Sequence, residues 1–156
     1  MMRKPPFTVG DHVQVIGYNP FRVRGVNHGL DKYVGERTII TAVFRYKGNL
    51  RYHTLQSGRQ FSWDPKDLKQ IEPLTVLPYE YRNLELKLFV HPKFTLGDTV
   101  FLKDDPSRTP RKITKISYKD IWTHKPTSDI VYTLDNQHGE LHDEKELITT
   151  KPMTVF

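Results

Sequence analysis

The pentapeptides FTVGD (residues 7–11) and FTLGD (residues 94–98) differ in one letter, and the segments after them match as well. A repeat of this kind limits the fold before any topology is considered, because what one copy forms the other must be able to form. After the first comes HVQV and after the second TVFL, so that Val13 and Val15, or Val100 and Leu102, alternate onto one face. IITAVFRY (39–46) then lies over KITKISYK (112–119), with Ile40, Thr41 and Val43 over Ile113, Thr114 and Ile116. YHTLQSGRQF (52–61) lies over VYTLDNQHGEL (131–141) on a shared Thr-Leu, a turn-forming cluster and a Gly. In the last block PKDLKQIEP (65–73) lies over EKELITTKP (144–152), an acid followed by Leu and then by a Pro. Four blocks in one order amount to a tandem duplication.

Each unit, residues 7–72 and 94–151, reads as strand, long loop, strand, turn, strand and short return. Period-two alternation dominates, and no segment has the length, periodicity and caps of a helix of three or more turns. Five or so short strands in about sixty residues, the last after a single tight turn, is the layout of a small SH3-like barrel, whose closure removes exposed edges. The expected fold is therefore all-β: two tandem SH3-like five-stranded small barrels, residues 1–72 and 94–156, joined by an extended, partly strand-forming linker at 73–93. In that layout the Gly-Asp pairs are structural: Gly takes a positive φ or a bulge, and the Asp carboxylate accepts from nearby backbone amides.

The linker, PLTVLPYEYRNLELKLFVHPK, contains no Gly or Ser. Leu84, Leu86, Leu88 and Val90 alternate with Glu85, Lys87 and Phe89, which predicts a strand that pairs with a barrel edge or fills the seam between the barrels. Domains of sixty residues bury only about 60% of their chain surface, so a shared seam with a fixed orientation is expected.

The differences between the copies carry more about function than the likeness. Thirty residues separate Gly10 from Ile40 but sixteen separate Gly97 from Ile113, so the first copy has fourteen extra residues (30 − 16) between its first two strands. They fall in IGYNPFRVRGVNHGLDKYVGE (16–36), a loop of Gly, aromatic and Arg character of the kind that carries binding surfaces. Its apolar members, Phe21, Val23, Val26, Leu30 and Tyr33, are also suited to capping the open end of a barrel. Residues 1–72 hold twelve Lys or Arg and six Asp or Glu, whereas residues 73–156 hold twelve of each, so the net charge of +6 belongs to the first copy. The second copy is polarised: RTPRKITKISYK (108–119) has basic residues and no acid, while DNQHGELHDEKE (135–146) has five acids and one Lys.

A pI near 9.5 and a basic, aromatic-bearing first copy suit phosphate contact. The candidate phosphate-binding residues are Arg22, Arg24, Arg37, Arg45, Lys47, Arg51 and Arg59, and the candidate stacking residues are Tyr18, Phe21, Tyr33, Tyr46 and Trp63. A minor variant is an aromatic cage for a methylated side chain, built from Tyr18, Tyr33, Phe44 and Trp63. His138, His142 and Asp143 have the types of metal ligands but flank a predicted hairpin turn without a third partner, so no metal site is expected. No phosphate-binding Gly loop, nucleophile elbow or paired glycosidase acids occur, so neither an enzyme, a small-molecule substrate nor a cofactor is implied. The absence of cysteine removes disulfides, thiolate ligands and a thiol nucleophile. No apolar run is long enough for a membrane span, and MMRKPPFTVGDHV lacks the apolar stretch of a secretion signal, so a cytoplasmic protein is expected.

The first copy, with FTVGDHVQV, GLDKYVGERTIITAV and GRQFSWDPKDL, resembles a small SH3-like domain met in many proteins of bacteriophages and bacteria. Leu30, Lys32, Gly35, Thr38, Ile40, Val43 and Trp63 fill the positions of that pattern, with Leu30 where Met is also allowed. The second copy fits the looser pattern and lacks the Trp. The resemblance implies a phage or bacterial accessory protein, in the host cytoplasm if phage-encoded, and carries no catalytic residues. Two functions are expected: a nucleic-acid-binding accessory protein using the first barrel, and, as the alternative, a protein-binding adaptor or inhibitor directed at a host factor and using both barrels as one surface.

Overall fold

The computed structural model describes residues 5–18, 29–82, 86–87, 90–120, 126–135 and 139–149. These form ten antiparallel strands and a few single 3₁₀ turns, an all-β protein. The first repeat supplies β1 (His12–Val15), β2 (Arg37–Tyr46), β3 (Asn49–Thr54), β4 (Gly58–Trp63) and β5 (Leu68–Gln70). The second supplies β6 (Thr99–Leu102), β7 (Arg111–Asp120), β8 (Pro126–Leu134), β9 (His142–Asp143) and β10 (Leu147–Ile148). Strand order within the two repeats is the same: β5-β1-β2-β3-β4 and β10-β6-β7-β8-β9.

The duplication extends to single hydrogen bonds. Asp11 accepts from the Thr8 amide at 3.0 Å, and Asp98 from the Thr95 amide at 2.8 Å. The Gly10 and Gly97 amides, both at positive φ, donate at 2.9 Å to the carbonyls of Ile40 and Ile113. The two closing turns are capping boxes, Asp64 with Asp67 and Asp143 with Glu146, which satisfy backbone amides before β5 and β10. Phe7 packs edge-on against Tyr52 (centroids 5.7 Å) and Phe94 against Tyr132 (5.5 Å), contacts worth roughly 0.5–1.5 kcal/mol each beyond burial. A register shift comes after Ile40 in β2 and Ile113 in β7, leaving Thr41 and Thr114 as the extra residues of matching bulges.

The third block of the sequence match is corrected by one residue. The shared Thr-Leu would place Thr54 over Thr133, but Thr54 lies opposite Ile40 while Leu134 lies opposite Ile113, so Thr54 corresponds to Leu134. Tyr52 then corresponds to Tyr132, paired with Val43 and Ile116 respectively. Strand register is set by which face is buried, and a slip of one would turn both tyrosines outward. The same register puts His142, opposite Tyr132, where the first repeat has Trp63, opposite Tyr52.

The repeats are not separate bodies strung on a linker. β2 pairs with β7 through Ala42↔Ser117, Val43↔Ile116 and Phe44↔Lys115, which joins β4-β3-β2-β7-β8-β9 into one sheet. Val43 and Ile116 are equivalent positions, so the pairing has a local twofold axis, the arrangement of an isologous contact made within one chain. One cluster of buried side chains runs through both repeats, including Val13, Ile39, Tyr52 and Trp63 of the first with Val100, Ile116, Tyr132 and Leu147 of the second.

The expected linker strand is not formed among the described residues of 73–93; Leu84, Glu85, Leu88 and Phe89 lie outside them. The described part of the segment fills the seam, the second of the two expected placements. Leu77 and Leu86 are buried in the common core, the Leu74 amide donates to His12 Nδ1 (2.8 Å), and the Lys87 amide donates to Ser128 Oγ (2.5 Å). The Val90 carbonyl accepts from the Tyr118 hydroxyl at 2.8 Å and presses against Gly10, where an added Cβ would lie 2.1 Å from it.

Candidate nucleic-acid interface

The sheet has an outer face opposite the core. On β2 strict alternation from Ala42 to Tyr46 sends Val43 inward and Ala42, Phe44 and Tyr46 outward. Cross-strand pairing adds Arg51 and His53 from β3, Lys115 and Ser117 from β7, and Val131 and Thr133 from β8, with Ala42, His53 and Val131 buried on this side. The face is therefore assembled from both repeats.

Its aromatic and cationic groups are in contact. Lys115 Nζ lies 5.2 Å from the centroid of the Phe44 ring, and Phe44 stacks in a tilted geometry on His53 at 4.8 Å. The tight β2–β3 turn, with positive φ at Lys47 and Gly48, folds Lys47 back so that its Nζ sits 5.4 Å from the centroid of Tyr46. Tyr46 is 56% exposed. Arg59 reaches from β4 across the junction to Asp120 of β7 at 3.3 Å. Burial, and then the positive charges of Lys115 and Arg59, depress His53 to about 4, so its imidazole is neutral at pH 7. Lys115 is also shifted down, first by burial and then by Arg59, with Asp120 opposing. Two cations and one carboxylate lining the same cleft leave a positive balance that favours an incoming anion.

A cleft of about 390 Å³ opens beside the face between Thr41, Gln60, Tyr81 and Pro126. A smaller one of about 170 Å³ contains His53, Lys115, Ser117 and Thr133. The Arg59–Asp120 pair borders both.

The residues expected from sequence separate into groups. Tyr46, Lys47, Arg51 and Arg59 belong to or border the outer face, with Arg51 ion-paired to Asp64. Arg45 alternates to the other side of β2 and donates to the Gly48 carbonyl (3.5 Å), and Arg37 is exposed at the far end of that strand. Tyr18 donates to Asp31 at 2.7 Å in the loop, away from the face. Phe21, Arg22 and Arg24, with Val23 and Val26, lie outside the described residues. Of the loop's described apolar residues, Leu30 and Tyr33 are buried, whereas Ile16 and Val34 are exposed.

Two stacking candidates are corrected. Trp63 is 0% exposed, and its Nε1 donates to Ser57 Oγ at 3.0 Å. Tyr33 packs edge-on against Trp63 and Phe61. Large rings bring the most stabilisation where they bury the most area, and both close the core of the first repeat. The aromatic cage fails for the same reason, because Phe44 faces outward while Tyr33 and Trp63 face inward. Of the histidine pair, His138 lies outside the described residues, and His142 is buried with Glu140 and Glu146 each 3.7 Å from it. Among the described residues no group of three or more His, Cys, Asp or Glu could hold a metal ion, and no helix is long and apolar enough to cross a membrane.

Lys115 and His53 were missed as site residues, and Phe44 entered only the cage. The available signal was the acid-free run RTPRKITKISYK, whose last eight residues match IITAVFRY of β2 position by position. Comparison of the chain with family models, curated proteins and solved structures gave no match.

Proposed function

We propose that this chain is a non-enzymatic nucleic-acid-binding protein that uses the outer face of the shared sheet. The observation that carries this reading is the meeting of Phe44, Tyr46, Lys47 and Arg59 of the first repeat with Lys115 of the second on one face. Cations there supply the sequence-independent attraction to phosphates, and exposed ring surface supplies contact with bases. The common strand order, with β1 between β5 and β2, supports reading each repeat as a small SH3-like barrel. The role proposed is that of a phage or bacterial accessory protein in the cytoplasm, in keeping with a cysteine-free chain.

The test is a salt titration of binding to labelled DNA and RNA. With three contacts from Lys47, Arg59 and Lys115, log K against log salt has a slope of about −2 for a single strand. Absence of binding at low salt ends the proposal.

A second reading, a protein-binding adaptor or inhibitor using both repeats as one surface, draws on the sheet ends. Among the described residues β4 pairs only with β3 and β9 only with β8, and an open edge can accept a partner's strand. A pulldown from bacterial lysate with and without nuclease separates the two: a complex that survives nuclease and moderate salt favours the protein partner.

A further inference from the structure

Phe44 and Tyr46 stand two residues apart on one face of one strand, and a lysine sits over each ring. We infer that this pair is a two-base stacking platform and that the ligand of the face is single-stranded nucleic acid rather than a duplex. The inference rests on the nucleic-acid reading of the face and narrows it.

Spacing comes first. Two residues along a strand span about 6.8 Å. That is about twice the 3.4 Å rise between stacked bases in a duplex strand. Neighbouring bases can cover Phe44 and Tyr46 together only when the strand is drawn out and its bases are unstacked. Shape gives the same answer. The face lies on four adjacent strands, β3-β2-β7-β8, about 14 Å across the backbones alone at 4.8 Å per step. A duplex major groove is about 12 Å wide and admits a helix or a two-stranded ribbon, so this face meets a duplex through its phosphates only.

The lysines complete the platform. Lys115 and Lys47 are held 5.2 Å and 5.4 Å from the two ring centroids, one to each ring. A base that covers a ring takes the place of the ammonium, which is then released to the phosphate beside that base. Each position thus provides one π-face and one cation per nucleotide, without reading the base edge. Lys115 is shared with Arg59 at the mouth of the smaller cleft, which gives the backbone a continuation past Phe44.

The experiment compares, by fluorescence anisotropy, a short oligo-dT, the same length of abasic deoxyribose-phosphate strand, and a duplex. Wild type is expected to bind oligo-dT about tenfold or more tighter than the abasic strand. Tyr46→Ala, at an exposed side chain that the fold does not need, is expected to lose about five- to a hundredfold on oligo-dT and nothing on the abasic strand. Phe44→Leu, which keeps apolar volume against His53, is expected to show the same selective loss. Equal binding of oligo-dT, abasic strand and duplex, or an unchanged Tyr46→Ala, overturns the platform and leaves the phosphate-binding reading standing. No binding of any of the three at low salt overturns both.

Discussion

Val43 lies directly opposite Ile116, its own counterpart in the second repeat, at the centre of the β2–β7 pairing. Both are buried, and the strands they belong to are the longest and most central of their repeats. The interface between repeats is thus part of the core. Ile116→Ala should cost about 2–5 kcal/mol and lower the stability of the whole chain in a single transition, read by urea unfolding with two probes. Two separated transitions, one for each repeat, would contradict a shared core.

Gly10 and Gly97 provide a matched pair for measuring the seam. Their φ angles are +92° and +89°, so an alanine at either position meets the same backbone penalty, about 1–2 kcal/mol. At Gly97 the new methyl meets open space, but at Gly10 it meets the Val90 carbonyl, which must move and give up its bond from Tyr118. Gly10→Ala should therefore be less stable than Gly97→Ala by a further 1–3 kcal/mol or so in urea midpoints. Equal losses would place the linker elsewhere.

His53 makes stability depend on pH. Its folded value of about 4 lies below the ordinary value of 6.5, so between these the unfolded chain binds more protons than the native one. Stability is then fully present above about pH 6.5 and falls as pH drops through about 4. The loss from this group is at most about 3 kcal/mol. The charges facing it are Lys115 and Arg59, both positive, and neither compensates a protonated imidazole. His53→Gln should flatten the stability profile between pH 6.5 and pH 4.5, measured by urea midpoints; an unchanged profile would assign the dependence to other groups.

Much of the repeat was legible in the sequence because its turns depend on local chemistry: Gly-Asp at the opening, and an acid followed by Leu at the close. The slip at Thr54 and Leu134 arose because identical letters were matched where the face governs register. The linker's leucine alternation reports burial, and its described members Leu86 and Val90 meet that demand in the seam, one of the two placements expected. Trp63 and Tyr33 looked available because composition does not say which side of a strand is buried. Lys115 was hidden by counting charge one repeat at a time. Pairing of β2 with β7 brings it to Phe44, and that pairing unites strands far apart in the chain with no local signal.

The central claim is that one binding face is built from both repeats, and Lys115 tests it most directly. It belongs to the half of the chain with no net charge, yet it sits over Phe44 of the first repeat. The measurement is anisotropy titration of a labelled single strand at low salt with wild type, Lys115→Glu and, as a control on the exposed far side of the bulge, Lys112→Glu. Lys115→Glu should weaken binding at least tenfold and reduce the magnitude of the salt slope by about 0.7, while Lys112→Glu stays within about threefold of wild type. Wild-type affinity for Lys115→Glu, with binding intact in the parent chain, would confine the site to the first repeat and contradict the account.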